Sequence, residues 1–375
     1  MSLPPDPATD GTGAPLLSIC IATLNRAGFI AATLEAIAPQ LDVDVEVVIV
    51  DGASRDATPE VIAAFLAAHP GPAWRYFRED HNGGVDADYD KAIVYAAGRY
   101  CWLLPDDDLP RPDAVATLKR ALADEPDVVA VNARFMSPDL REVLDAPRLK
   151  ADADRYYCDE EIDEFITQTI FYLTYIGGCV VRRAFWLERE RSRYFGTGFV
   201  HLGVICQAPL PARARLIAAP LIDYRHGNAA WRPQAFDIWM LGWPRLVAAF
   251  TAISPRARLA AHDPSPRRSF ELLAYHLAIG SRLDEVRWQR FLFTTRLGPF
   301  RPLAHLLHAL PDGLTNFLLC LYASLFMRQM LVVCYDLFTS PNAGAASWQL
   351  ARLARLPTPL LRAVATARDT PRPTH

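Results

Sequence analysis

Tyr100–Val115 reads YCWLLPDDDLPRPDAV, and its two halves have opposite chemistry. Tyr100, Cys101, Trp102, Leu103 and Leu104 are aromatic or branched, which predicts a buried strand. Asp106, Asp107 and Asp108 follow at once. Three adjacent carboxylates at a strand end repel one another. They call for a cation, and an all-oxygen ligand set suits Mg²⁺ or Mn²⁺. Alone, the run reads equally as a solvated acidic turn.

Outward from this stretch the N-terminal half alternates strand and helix. Leu17–Thr23 and Val43–Val50 read as strands, the second ending at Asp51. Ile30, Leu34, Ile37 and Leu41 recur at helical spacing, as do Val61, Ile62, Phe65 and Leu66. Thr58-Pro59 is expected to open the second helix with a capping hydroxyl. Trp74–Phe77 and Val128–Phe135 are further strands, and Val85, Tyr89, Ile93 and Ala96 mark a third helix. Pro112–Leu122 is a fourth. Such alternation predicts an α/β fold with an open, mostly parallel twisted sheet flanked by helices. Ligands of these sheets bind beyond the carboxyl ends of strands. Thr23 with Asn25, Asp51, and Asp106–Asp108 all fall there.

Composition narrows the function. The chain has 375 residues, 51% hydrophobic, and a net charge of −3. That charge gives no case for nucleic-acid binding. Seven scattered cysteines without a C-x-x-C pair fit a reduced, cytoplasmic protein. Residues 1–14 have no basic start or apolar run, so they read as a disordered tail. The turn after the first strand is TLNRAG, which excludes a G-x-G-x-x-G dinucleotide fingerprint. A phosphate-binding P-loop and a G-x-S-x-G elbow are absent too.

Four segments in order resemble glycosyltransferase family 2, the group with the GT-A fold. They are SICIATLNR (Ser18–Arg26), VVIVDGASRDAT (Val47–Thr58), HNGGVDADYDKAIVYAAGRY (His81–Tyr100) and DDD followed by LPRPDAV. YCWLL-x-DDD preceded by GGVDADYDKA is similar to the abequosyltransferase-type subgroup, which acts on lipid-linked O-antigen or related glycans. The resemblance implies a metal-dependent enzyme, generally inverting, with Mn²⁺ or Mg²⁺ as cofactor. Its donor would be a nucleoside diphosphate sugar of UDP or CDP type, and the subgroup resemblance leans towards a deoxy sugar. Its acceptor would be a glycan, polyprenyl-linked in the subgroup, at the inner face of the cytoplasmic membrane. The alternative is a catalytically inactive nucleotide-sugar-binding or assembly protein with the same fold.

The resemblance also implies roles. Thr23, Asn25, Asn82 and Gly83 would line the nucleotide-sugar pocket, and Asp51 would bond the pyrimidine ring. Asp106 would approach the ribose and Asp107 the metal, with Asp108 open to either role, since Pro105 replaces the first acid of the usual D-x-D-D. Asp88-Tyr89 stands where many members carry Arg-Asn. Gly177 and Gly178 would leave room for the acceptor sugar, or instead serve a bulge or close strand contact. The family's Glu-Asp general base is missing from GTGFVHLGVI (Gly196–Ile205), where His201 is the substitute. His226 in DYRHGNAAW (Asp223–Trp231) would complete the metal shell.

The resemblance places the catalytic domain at residues 15–230, with helices over 231–375. The most apolar stretch, Asn316–Phe338, is split by Arg328 and Gln329, so neither half reaches the roughly 18 apolar residues of a membrane span. It reads as a core or homo-oligomer helix, or as a helix lying on a membrane. After residue 340, five arginines stand against Asp369 alone, which suits peripheral contact with anionic lipid.

Overall fold

The structure, a computed structural model, describes residues 13–229, 231–281, 283–354 and 356–369. The proposed tail over 1–14 therefore falls almost wholly outside the described residues. The chain divides into two compact units. One contains residues up to Arg134, Pro147–Tyr224 and Phe250–Ala260. The other contains Phe135–Ala146, Arg225–Ala249 and the residues from Ala261 onward. The division is discontinuous in sequence, whereas the sequence reading has one boundary after residue 230.

The first unit is built on β1 (Leu17–Thr23), α1 (Ile30–Ile37), β2 (Val45–Asp51), α2 (Thr58–Ala68), β3 (Trp74–Arg78), α3 (Val85–Tyr95) and β4 (Tyr100–Leu103). These alternate as the apolar periodicity predicts. Strands β3-β2-β1-β4 pair in parallel in that order. Every residue of β1 but Ala22, and all of β2 and β4, is buried. Helices cover both faces of such strands, which explains the near-continuous Val and Ile runs.

Beyond β4 the sheet turns antiparallel. The chain continues through β5 (Leu109–Pro110), α4 (Ala114–Ala121), β6 (Val128–Met136), β7 (Val143–Asp145), β8 (Arg155–Cys158), α5 (Ile162–Thr169), β9 (Cys179–Arg182), α6 (Arg183–Leu187), α7 (Val200–Ile205) and β10 (Arg213–Arg225). The sheet order is completed by β9-β6-β10-β5, with β7 on β6 and β8 on β10. Strand β9 runs antiparallel to both β4 and β6. The open α/β sheet of GT-A type is thus present, with its parallel part confined to the first four strands.

A buried carboxylate ties the amino ends of these strands. Glu46 accepts hydrogen bonds from Ser18 Oγ at 2.6 Å, Ala97 N at 2.5 Å and Gly98 N at 3.2 Å, and pairs with Arg75 at 3.2 Å. Gly98 must be glycine, because a Cβ there would stand 2.4 Å from Ser18 Oγ and 2.7 Å from Ser18 N.

The second unit is helical, with α8 (Trp243–Ala249), then α9 (Pro255–Ala261, mostly in the first unit), α10 (Pro266–Ala278), α11 (Glu285–Thr294), α12 (Arg301–Ala309), α13 (Asp312–Phe326), α14 (Leu331–Thr339), α15 (Ala345–Leu353) and α16 (Thr358–Asp369). The sequence reading ran one helix over Leu314–Phe338. The structure breaks it between Phe326 and Leu331, around the exposed Arg328 and Gln329. Among the described residues no helix is long and apolar enough to cross a membrane.

Candidate active site

The carboxyl ends of β1, β2 and β4 converge as the strand order requires. Asp51 ends β2 and is fully buried. One of its oxygens accepts from Ser54 N at 2.7 Å, the other from Tyr76 Oη at 2.9 Å. A carboxylate has about four lone-pair sites, so these two contacts leave Asp51 with spare acceptor capacity, enclosed by its full burial in this structure. Tyr76 is held neutral, its pKa raised by burial and by Asp51.

Asn25 links the β1 and β2 ends. Its N–H donates to Ser54 Oγ at 2.9 Å, and its Oδ1 accepts from Arg55 N at 2.8 Å. Its φ of 55° lies in the left-handed region, which asparagine tolerates better than most residues. Thr58 does not cap α2. Its hydroxyl accepts from Arg26 N at 2.7 Å and donates to Asp56 at 2.5 Å, which locks the Arg26 backbone in place.

Arg26 is a site residue that the sequence reading left without a role. Its Nε lies 3.2 Å from Asp106 Oδ1, and its terminal nitrogen donates to Asp107. The guanidinium also lies 4.9 Å from the Phe29 ring centroid. All three acids are nearly enclosed, and Asp108 is fully buried. Burial and the neighbouring Asp107 charge push the Asp106 pKa up to about 6, against the pull of Arg26 and Thr23. The Asp106 backbone is anchored by Thr33 Oγ1, which donates to its carbonyl at 3.0 Å. Asp108 accepts from Tyr175 Oη at 2.6 Å. The Arg26 signal was present in the sequence as the residue after Asn25. Tyr175 lies 67 residues from Asp108, and nothing local announces that contact.

Helix α3 brings a further acid. Asp88 is buried, and a Cβ on Gly52 would stand 2.5 Å from its Oδ2. Burial raises its pKa to about 6, with Lys91 opposing and Glu79 and Asp51 assisting. Gly83 adjoins the same group, and Asn82 Oδ1 accepts from Gly84 N at 2.8 Å at the start of α3. Thr23, Asn25, Asp51, Gly83 and Asp106–Asp108 are therefore gathered with Arg26, Tyr76 and Asp88 through linked contacts in one unit.

Gly177 and Gly178 sit where any side chain would collide. A Cβ at Gly177 would lie 2.3 Å from Tyr175 Oη and 2.9 Å from Pro105 Cδ, and one at Gly178 would lie 2.8 Å from the Tyr172 ring. Trp102 Nε1 donates to the Gly177 carbonyl at 2.9 Å. Close packing accounts for both glycines, against Tyr175 and Pro105 at Gly177 and against Tyr172 at Gly178.

His201 is not presented to a ligand. It lies in α7, fully buried, with Nε2 2.6 Å from the Leu173 carbonyl. A carbonyl only accepts, so Nε2 carries the proton, and Nδ1 has no partner. Burial lowers its pKa to about 4. A general base must come within hydrogen-bond reach of the proton it removes. An enclosed ring does not, so the placement argues against the base role and for a packing role. The loop before it is held elsewhere: Asp86 accepts from Gly198 N at 2.8 Å and Val200 N at 3.0 Å.

His226 belongs to the second unit. Its Nε2 lies 3.0 Å from Asp336 Oδ1. Asp336 is buried and also accepts from Arg232 at 2.6 Å and Tyr275 Oη at 2.7 Å. Burial acts to raise the Asp336 pKa, but His226 and Arg232 hold it below the ordinary carboxylate value.

For a divalent cation the donor chemistry fits. Asp106 and Asp107 offer hard oxygens, and the Arg26 guanidinium stands in for the cation between them. Among the described residues, no three of His, Cys, Asp and Glu converge as a ready ligand set.

Residues 18–189 match the profile described as Glycosyl transferase family 2. The chain is 27% identical to the abequosyltransferase RfbV of Salmonella typhimurium over 201 residues, 51% of this chain and 60% of that protein. It is 35% identical to the succinoglycan biosynthesis protein ExoO of Rhizobium meliloti over 130 residues, 32% of this chain and 36% of that protein. It thus spans less than two thirds of these relatives. A solved structure of S. aureus TarS residues 1–349 in complex with UDP aligns with a TM-score of 0.47 at 12% identity, over 94% of this chain and 90% of that one.

Proposed function

We propose, from the match of residues 18–189 to the Glycosyl transferase family 2 profile, that this chain is a glycosyltransferase of surface polysaccharide assembly. It moves a sugar from a nucleoside diphosphate donor to a hydroxyl of a glycan acceptor, as in O-antigen synthesis. The observation that carries the reading is the convergence of Asp51 and Asp106–Asp108 beyond three parallel strand ends, with Arg26 between the acids.

The donor is of UDP or CDP type, because the free lone pairs of Asp51 accept from the uracil N–H or the cytosine amine alike. Thr23, Asn25, Asn82 and Gly83 line the donor pocket, and Asp106 approaches the ribose. Asp107, with Asp108, would hold Mn²⁺ or Mg²⁺, which when bound neutralises charge on the departing diphosphate. Arg26 supplies a second positive charge at the same place. An acceptor-side role for Gly177 and Gly178 belongs to this reading, beside their close packing against Tyr175, Pro105 and Tyr172. Inversion at the anomeric carbon and a polyprenyl-linked acceptor at the inner membrane face belong to this reading. The enclosed His201 leaves the proton acceptor to be found by mutagenesis.

Thermal shift with UDP, CDP and GDP, each with and without Mn²⁺, tests the proposal, since a ligand of the native state raises Tm. Stabilisation by UDP or CDP that is lost in Asp51→Ala supports it. Stabilisation by GDP alone overturns the pyrimidine assignment.

A further inference from the structure

Helix α13 is inside out. Its buried positions are Thr315, Asn316, Cys320, Ala323 and Ser324, all small or polar. These residues are satisfied within the second unit. Asn316 donates to the Ala278 and Leu337 carbonyls at 3.1 and 2.9 Å and accepts from Ser347 Oγ at 2.8 Å, while Ser324 Oγ donates to the Cys320 carbonyl at 2.7 Å. The large apolar residues face the other way. Leu314, Leu318, Leu321, Tyr322, Leu325 and Phe326 are 37–72% exposed. Their spacing places four of them in one row and Tyr322 and Phe326 on its flank. Leu303 and Leu306 of the preceding α12 are 48% and 60% exposed. Scattered exposed leucines need no explanation, but a helix that hides its polar residues and shows its apolar ones does.

The charges around this face choose its occupant. From residue 291 to 335 the chain carries Arg296, Arg301 and Arg328 against Asp312 alone, and all four are exposed. Arg267, at the start of α10, also interacts electrostatically with Tyr322, but it is paired with Glu271 at 2.8 Å and adds no net charge to this border. A second copy of this chain docked about a two-fold axis would bring like arginines together. An anionic lipid surface accepts both the apolar row and its basic border. Helix α13 has 15 residues, about 22 Å at 1.5 Å per residue, too short to cross the hydrocarbon core.

We propose that α12 and α13 form a membrane-binding face that lies in the plane of an anionic bilayer, with the apolar row of α13 seated among the acyl chains. The face stands on its own exposure and charge. Only its use, bringing the enzyme to a lipid-linked acceptor, rests on the proposed function.

The test is flotation of the full chain with vesicles of phosphatidylglycerol and phosphatidylethanolamine, and with phosphatidylcholine alone. The full chain should bind the anionic vesicles, and high salt should weaken the binding. Leu318→Ser/Leu325→Ser/Phe326→Ser should lower partitioning about a thousandfold, at roughly tenfold per lost side chain. Its melting temperature should remain that of the parent. Equal binding by parent and triple variant overturns the proposal, as does a salt-stable dimer that the variant converts to monomer without any lipid binding. Donor hydrolysis by the variant in detergent-free buffer is read separately. Loss of vesicle binding with hydrolysis intact supports the face, whereas an inactive parent that still binds vesicles counts against the transferase reading alone.

Discussion

Replacing Arg26 with glutamine should show whether the guanidinium is the cation that makes three adjacent acids tolerable. Its side chain is 15% exposed, and those of Asp106 and Asp107 are 9% and 10% exposed. Removing one partner of a buried ion pair costs about 3–5 kcal/mol, and this pair sits near the lower end because water still reaches it. Protonation limits the loss at lower pH. The Asp106 pKa is raised to about 6 with Arg26 in place, so at pH 5 this acid is already largely neutral in the parent and leaves Arg26 less charge to offset. Arg26→Gln should therefore lose about 3 kcal/mol at pH 7.5 in chelator and clearly less at pH 5. Mn²⁺ at millimolar concentration should restore most of the loss at pH 7.5 by replacing the missing charge. Urea unfolding followed by circular dichroism measures all three. A variant within about 0.5 kcal/mol of the parent at pH 7.5 in chelator would refute the argument, because surface changes cost no more than that.

Asp88→Asn should stabilise the protein by about 1–2 kcal/mol above pH 6 and by nothing below pH 4. The sign follows from a native pKa near 6 and an ordinary one near 4: the folded state binds this proton more tightly, so stability falls as pH rises through that window. Denaturant midpoints at pH 4 and pH 7.5 check it. His201→Gln should keep turnover per folded molecule within about threefold, where loss of a general base would cost a hundredfold or more. Its stability should fall by about 1–3 kcal/mol through disturbance of the Leu173 contact, and kinetics paired with melting curves separates the two. Asp107→Asn should abolish Mn²⁺-dependent stabilisation by UDP or CDP without unfolding the chain, read by thermal shift. Unchanged stabilisation would move the metal to another acid.

The strand ends of the site were readable because their signal is local. Alternation fixes where β1, β2 and β4 stop, and parallel pairing then places Thr23, Asp51 and Asp106 on one edge. The partners of these residues were not readable, because each contact spans a loop that only the folded sheet closes. Arg26 reaches Asp106 across 80 residues and Tyr175 reaches Asp108 across 67. His201 was misleading for a different reason. Position in a motif says which residue replaces another, but says nothing of which way its ring turns. The continuous helix drawn over Leu314–Phe338 failed at Arg328 and Gln329. No local residue there breaks a helix by propensity, and the exposed polar pair marks a corner that packing decides.

The two ends of β2 are built on different terms, and the difference bears on how this chain can change over evolutionary time. At its amino end Glu46 has a complete set of donors from β1, β3 and the turn into β4. A substitution there strands several buried partners at once and threatens the whole sheet. At the carboxyl end the acids are crowded, and Asp88 stands against Asp51 with its pKa already displaced. Neutral replacement of Asp88 relieves that crowding. The sheet is therefore locked at its amino rim and tolerant at this position of its carboxyl rim, and sequence drift is expected there first.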